Sequence, residues 1–271
     1  MMTKDNNIDE WVNYINQIYE QSNSERSFKD IIVLFYEDIG KCFQLINRKR
    51  EKDIENLLPS MFKWFCALYA KNENKVHSVS DLLWNKFPGI CPYCLKTTCR
   101  CHIRKGNLNI VEIADKAKNG KETKPKTINE WQTHFQQIYP RNPDATFITN
   151  VSHLAEELAE LSEAHRKRHI KKDVLCVEME LADVFTWIIG LANLIHQLKE
   201  TDVSKNYFFG DVISAKFKNG CPNCHKFRKE YKLKTSCGCL IKEQSFELIA
   251  DYKYEEEVLV IDQNTDEKPK C

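Results

Sequence analysis

The stretch Leu154-Ala155-Glu156-Glu157-Leu158-Ala159-Glu160-Leu161-Ser162-Glu163 carries carboxylates at helical spacing, with Glu157 and Glu160 at i and i+3 on one face. A second stretch, Glu178-Met179-Glu180-Leu181-Ala182-Asp183-Val184-Phe185, repeats the device with Glu180 and Asp183. Leu181, Val184, Phe185 and Ile188 adjoin this second pair on its apolar side, so its acids are expected at the edge of a helix-bundle interior. Taken alone, the first cluster also reads as a solvated face of helix-forming residues. Placed antiparallel, however, the two helices gather four carboxylates that repel one another in a partly desolvated site. A hard divalent cation removes that conflict, and all-oxygen ligation suits Mg²⁺ or Mn²⁺.

Working outward, the apolar period is helical on both sides. In the C-terminal half it predicts helices over about Ile128 to Ile138, Phe147 to His169, Lys172 to Glu200 and Tyr207 to Phe217. In the N-terminal half it predicts Ile8 to Tyr19, Phe28 to Ile46 and Leu57 to Tyr69, the last apolar nearly all round. The halves echo each other. Ile8, Glu10, Trp11, Ile18 and Tyr19 recur as Ile128, Glu130, Trp131, Ile138 and Tyr139. Met61-Phe62-Lys63-Trp64 aligns with Val184-Phe185-Thr186-Trp187, and Lys86-Phe87 through Cys91-Pro92-Tyr93-Cys94 aligns with Lys216-Phe217 through Cys221-Pro222-Asn223-Cys224. The expected fold is all-α: two tandem helical repeats packed as a pseudo-dimeric bundle, each ending in a small four-cysteine loop. The expected boundaries are 1–103 for the first repeat, 104–126 for a linker with a short helix near Leu108 to Ala117, 127–240 for the second repeat and 241–271 for an extension. Ser245 to Asp262 is expected to add a helix turn or one strand, and the tail to Cys271 to fray.

Composition agrees. Among 271 residues, 42% are hydrophobic and 29% charged, enough apolar material for cores and against wholesale disorder. Only 8 Gly and 8 Pro occur, few for a chain of many tight turns. The net charge of +1 argues against a general polyanion binder. No apolar run approaches the ~20 residues that span a bilayer, and Met1 to Asn7 hold no signal-peptide core. A cytoplasmic protein without membrane contact is expected, and its 12 cysteines point to metal rather than disulfides.

Glu157-x-x-Glu160 followed by Glu180-x-x-Asp183, in the setting Glu-Glu-x-x-Glu-Leu and Glu-Leu-Ala-Asp-Val-Phe, resembles the MazG-like all-α nucleoside triphosphate pyrophosphohydrolases. The resemblance covers about Ile128 to Cys239 with motifs and Ile8 to Cys101 by shape alone. It implies that Glu157, Glu160, Glu180 and Asp183 bind Mg²⁺, which holds a triphosphate while water attacks the α-phosphorus to release a monophosphate and pyrophosphate. One of these acids is implied to orient the water. The resemblance also implies a substrate cation at Lys216, which otherwise reads as a surface lysine. Asn193 is a weaker candidate for a polar substrate contact, and Trp131 and Trp187 read first as core residues and second as walls for a base. Opposite the four ligands the first repeat carries Asp38, Lys41, Leu57 and Ser60, a set that holds Mg²⁺ poorly. The first repeat is therefore expected to be catalytically silent and to act as the pseudo-subunit that relatives of this kind supply by pairing two chains, although a homodimer stays compatible.

Cys91, Cys94, Cys99 and Cys101 form one thiol cluster, and Cys221, Cys224, Cys237 and Cys239 a second. Cys-x-x-Cys followed by a second close pair is the pattern of a tetrahedral Zn²⁺ site, and four thiolates leave no open position, so two structural zinc ions are expected. His102 or His225 stands as a substitute ligand. Cys42, Cys66 and Cys176 are expected in or near the core. Basic residues around the clusters, among them Lys96, Arg100, Lys226 and Arg228, raise a rival reading in which a zinc-stabilised helical scaffold grips nucleic acid or a partner protein. The enzyme reading is favoured because the acidic quartet is intact in one repeat and eroded in the other.

Overall fold

The computed structural model describes residues 2–73, 75–101, 108–140, 145–171, 174–200 and 207–222, and these form helices with no strand among them. In chain order they are α1 (Ile8–Ile18), α2 (Glu20–Ser24), α3 (Phe28–Asn47), a 3₁₀ turn (Glu51–Asn56), α4 (Leu58–Lys71), α5 (Val79–Lys86), α6 (Ile110–Asn119), α7 (Ile128–Ile138), α8 (Phe147–Lys171), α9 (Val174–Glu200) and α10 (Phe209–Phe217). The helices read from periodicity are present within a few residues at each end, and the linker helix is α6. The short helices α2 and α5 lack the long apolar period and were not singled out by it. Segment 245–262, the tail and most of the second cysteine cluster lie outside the described residues.

Local chemistry starts the helices. Asn7 accepts the Glu10 backbone N–H at 2.8 Å while the Glu10 carboxylate accepts the Asn7 N–H at 2.8 Å, a capping box that opens α1. Thr127 and Glu130 open α7 in the same way, at 3.1 and 3.0 Å. The two capped ends lie side by side, with the Ile8 N–H donating to the Lys126 carbonyl at 2.9 Å. From there each helix buries one apolar stripe, Ile8, Trp11, Val12, Ile15 and Ile18 in α1 and Ile128, Trp131, Phe135 and Ile138 in α7.

The centre is a four-helix arrangement. The hairpin α8–α9 packs along its length, α3 lies against α8, and α4 lies against α9. Tyr36 donates from α3 to the Ala155 carbonyl at 2.8 Å, and Phe28 stacks on His165 at 3.7 Å between ring centres. Phe65 of α4 meets Phe185 of α9 at 5.3 Å. Helix α9 is the axis of the core, because Leu181, Ala182, Val184, Phe185, Ile188, Ile189, Leu191, Ala192 and Ile195 are fully buried on several sides of it. No helix among the described residues is long and apolar enough to cross a membrane.

One buried acid sets where α5 sits. Glu178 is 3% exposed, accepts the Val76 and His77 backbone N–H groups at 2.6 and 3.0 Å, and meets His77 Nδ1 at 2.6 Å. A carboxylate this buried is tolerated only with its oxygens satisfied, so the α4–α5 connection is pinned to α9 at the residue before Met179. Helix α5 then runs along α9 toward the acidic face.

Candidate active site

Helix α9 turns Glu180 and Asp183 toward α8, which presents Glu157 across from them. Glu157, Glu180 and Asp183 offer oxygens that all lie within 4.8 Å of one another. Glu160 is exposed and outside this trio, yet close enough that its charge acts on all three. Desolvation first, and then the charge of Asp183, push Glu157 up to about 7, and the same two causes push Glu180 up to about 7. Burial also raises Asp183. Two unit charges ~4 Å apart repel by about 4 kcal/mol at an effective dielectric of ~20, so the bare trio cannot stay fully ionised.

Two neighbours answer part of this strain. Trp187 donates its indole N–H to Glu157 at 3.1 Å. The Lys86 ammonium, from the end of α5, bonds Asp183 and donates to the Met179 carbonyl at 3.1 Å. The Lys86 side chain is 4% exposed and that of Asp183 13%, so this is a buried ion pair. Three carboxylates facing one ammonium still leave net negative charge and an all-oxygen donor set, which fits a hard divalent cation of the Mg²⁺ or Mn²⁺ kind.

Glu157 and Asp183 of the trio stand at one side of a cavity of about 670 Å³. That is the size of pocket that encloses a small ligand. Phe135, Tyr139 and Trp187 supply aromatic wall, while Asn150, Asn193 and Gln197 supply polar groups. Asn193 is 9% exposed, and its buried carbonyl oxygen has no hydrogen-bond partner. At Gly190 the backbone comes so near Asn150 that an added Cβ would lie 2.8 Å from the Asn150 amide oxygen.

The opposite wall comes from the N-terminal half. Cys91, Cys94, Cys99 and Cys101 bring their sulfurs within 4.8 Å of one another, with Cys91 and Cys101 at 3.6 Å. A disulfide needs about 2.05 Å, whereas the edge of a tetrahedron with Zn–S of ~2.3 Å is about 3.8 Å, so the spacing fits a four-thiolate cation site. The turn that makes it carries Leu95 at φ 57° and closes with Leu95 N–H to Cys91 carbonyl and Cys91 N–H to Lys96 carbonyl, both 2.9 Å. Burial opposes ionisation of Cys94, but the Arg100 and Lys96 N–H groups pull it down to about 7, while desolvation pushes Cys101 up to about 11. Tyr93, at the tip of the turn, lines the same cavity as Glu157 and Asp183. Partial burial and then the nearby charges of Asp183 and Glu157 hold its phenol protonated.

The structure distributes the other sequence candidates differently. Lys216 is exposed on α10 and is not among the residues lining the cavity; Lys86, its counterpart in the repeat alignment, meets the acids instead. Trp131 is fully buried core, whereas Trp187 is cavity wall. Asp38 is buried, paired with the Lys41 ammonium at 2.9 Å and accepting the Trp64 indole N–H at 3.0 Å, and no acidic cluster forms around it among the described residues. Cys42 and Cys66 are buried, but Cys176, in the first turn of α9, is exposed, which corrects its expected place in or near the core. Cys221 is buried and in contact with the Tyr19 hydroxyl at 3.8 Å, while Cys224, Cys237, Cys239, His102 and His225 lie outside the described residues.

Sequence reasoning missed Lys86 and Tyr93. Both lie within the repeated segment, but nothing in the local sequence tells which half of the molecule they face.

A helical bundle with a cluster of acids beside a cavity is the class that fold and site define. Residues 145–225 match the family model of the MazG nucleotide pyrophosphohydrolase domain. The match spans α8, α9 and α10 and includes Glu157, Glu160, Glu180 and Asp183; Lys86 and the cysteine turn at 91–101 lie outside it. No curated protein and no solved structure matches the chain.

Proposed function

We propose that this protein is a divalent-metal-dependent nucleotide pyrophosphohydrolase that cleaves a nucleoside triphosphate to the monophosphate and pyrophosphate. The observation that carries the reading is the convergence of Glu157, Glu180 and Asp183 at the side of an aromatic-walled cavity, inside the stretch that matches the MazG domain. Mg²⁺ bound there would neutralise phosphate oxygens and the charge developing at the α-phosphorus. Glu157, Glu180 and Asp183 would hold that ion, with Glu160 joining from the solvent side. Trp187 keeps Glu157 in place through one oxygen and leaves the other free. Lys86 tempers the charge on Asp183 through their buried ion pair, a positioning role behind the acids. Asn193 offers its unpartnered carbonyl oxygen to a donor on the base or sugar.

The N-terminal half acts as a fused pseudo-subunit. Equivalent contacts in the two halves support a duplication: Trp64 to Asp38 and Trp187 to Glu157, at 3.0 and 3.1 Å, and Phe87 on Tyr139 and Phe217 on Tyr19, each at 6.4 Å. In the first copy the acid is quenched by Lys41, so one site survives, completed by Lys86 from the silent copy. The thiol cluster at 91–101 would hold a zinc ion, and Cys221 with Cys224, Cys237 and Cys239 a second.

The test is incubation of the full chain with a panel of common and modified nucleotides, with and without Mg²⁺, followed by pyrophosphate detection. Metal-dependent pyrophosphate release with a matching monophosphate is expected. No product from any nucleotide, with metal supplied and helix content verified, would leave the scaffold reading in its place.

A further inference from the structure

The four-cysteine turn is more than a peg that ties the end of α5 to the bundle. Its own residues are cavity wall: Cys91, Tyr93, Thr98, Cys99, Arg100 and Cys101 face the space that Glu157 and Asp183 border from the other side. Among the described residues this wall has neither helix nor strand; past the turn itself, its backbone ties are the Cys99 N–H to the Ile138 carbonyl at 2.7 Å and the Asn109 N–H to the Pro92 carbonyl at 3.3 Å. Holding such a loop costs about 1–2 kcal/mol of backbone entropy per residue, and these two tethers, with the Asn109 side-chain amide donating to the Tyr93 carbonyl at 3.4 Å, offset part of that. Cys91 and Pro92 are buried and Cys94, Cys99 and Cys101 pack against the core, whereas Tyr93, Thr98 and Arg100 are exposed, and a cation shared by the gathered sulfurs would fix these three. Tyr139 connects the two features, since it lines the cavity, packs on Phe87 and hydrogen-bonds the Cys91 sulfur.

We propose that this turn is a metal-set wall of the nucleotide cavity: a thiophilic divalent cation of the Zn²⁺ kind on Cys91, Cys94, Cys99 and Cys101 holds Tyr93, Thr98 and Arg100 where they grip the nucleotide, so that loading of the thiol site controls nucleotide affinity. The identity of the ligand rests on the pyrophosphohydrolase reading. The wall itself lies outside the residues that match the MazG domain. Tyr93 and Thr98 bring hydroxyl donors, and Arg100 a planar guanidinium suited to phosphate oxygens or a base edge. These are positioning and binding groups; the acids across the cavity remain the centre of the chemistry.

The experiment compares the full chain as purified, its zinc counted by elemental analysis, with the same chain stripped by 1,10-phenanthroline. Binding of the α,β-imido analogues of ATP, GTP, CTP and UTP with Mg²⁺ is measured by calorimetry, and Mn²⁺ binding without nucleotide by electron spin resonance. Stripping is expected to weaken the best analogue at least about tenfold, with recovery on adding Zn²⁺, while Mn²⁺ affinity and helix content stay within about twofold. Stripping also empties the second thiol set, so Cys94→Ser is run in parallel and is expected to reproduce the loss. Tyr93→Ala is expected to keep the zinc count and still weaken the analogue about fivefold. Equal affinity of the loaded and stripped forms, with Tyr93→Ala unchanged, overturns this inference alone. A folded chain that carries no zinc, or one that loses Mn²⁺ binding and helix content together on stripping, also overturns it. Mn²⁺ binding without affinity for any analogue in the loaded chain removes the nucleotide reading and this inference with it.

Discussion

Replacing Lys86 with Met keeps the apolar stem and deletes the charge, and the consequence can be worked from the geometry. The Lys86 ammonium is almost wholly buried, bonded to Asp183 and to the Met179 carbonyl. Removing one partner of a buried ion pair costs about 3–5 kcal/mol when the remaining charge stays in place. Asp183 has an escape, because it can take up a proton. Its carboxyl is already raised by burial, with Lys86 pulling the other way, so the variant raises it further. A carboxyl raised by folding favours the native state at low pH and withdraws that support as pH climbs through the folded value. The loss in Lys86→Met should therefore be small near pH 5 and reach about 3 kcal/mol at pH 8 in metal-free protein. At roughly 2–4 °C per kcal/mol for a chain of this size, the midpoint falls by about 6–12 °C. Mg²⁺ should recover more of that midpoint in the variant than in the parent. Activity should fall about 100-fold in kcat/KM, the weight of one lost charge-assisted contact near 3 kcal/mol. Thermal melts at pH 5 and 8 with and without Mg²⁺, beside steady-state kinetics, read all of this. A variant that melts within 2 °C of the parent at pH 8 and keeps kcat/KM within about twofold would refute the placement of Lys86 at the acids.

Glu180→Gln and Asp183→Asn should each abolish turnover with helix content unchanged by circular dichroism. Glu180→Gln should also stabilise the metal-free chain at pH 8 by about 1–2 kcal/mol, the rise to about 7 converted and then roughly halved for solvent screening; retained turnover in both variants would remove the metal site. Because Glu157 and Glu180 are raised from 4.5 to about 7, the metal-free protein should lose stability as pH rises through that interval. Added Mg²⁺ should accordingly raise the midpoint more at pH 8 than at pH 6, and an equal shift at both would contradict the repulsion argument. Gly190→Ala sets a methyl against the Asn150 amide oxygen and should raise KM several-fold with a smaller change in kcat; unchanged kinetics would show that this wall does not meet substrate.

Much of this architecture was readable one residue at a time. The 3.6-residue period locates α1, α3, α4 and α7 to α10, because each buries a stripe that its own sequence displays. The acids at 157, 160, 180 and 183 were legible for a related reason, since pairs at i and i+3 share a helix face before any tertiary contact forms. Glu160 shows where this ends. Its spacing equals that of Asp183, yet Asp183 joins the trio and Glu160 stands outside, because the second helix is buried nearly all round and the first is half exposed.

The two Lys-Phe pairs mark the boundary most plainly. Lys86-Phe87 and Lys216-Phe217 both stand at the ends of their helices, and the phenylalanines both meet a tyrosine at the end of the opposite half's first helix. Sequence alone determined an all-α chain, an acidic pair on each of two helices and thiols spaced to share an ion, because those properties are set by neighbours a few positions away. Only the packing of one half on the other decided that Lys86 meets Asp183 while Lys216 faces water, and that the first thiol turn walls the second half's cavity. Contacts of that kind depend on how helices far apart in the chain are docked, which no local period records.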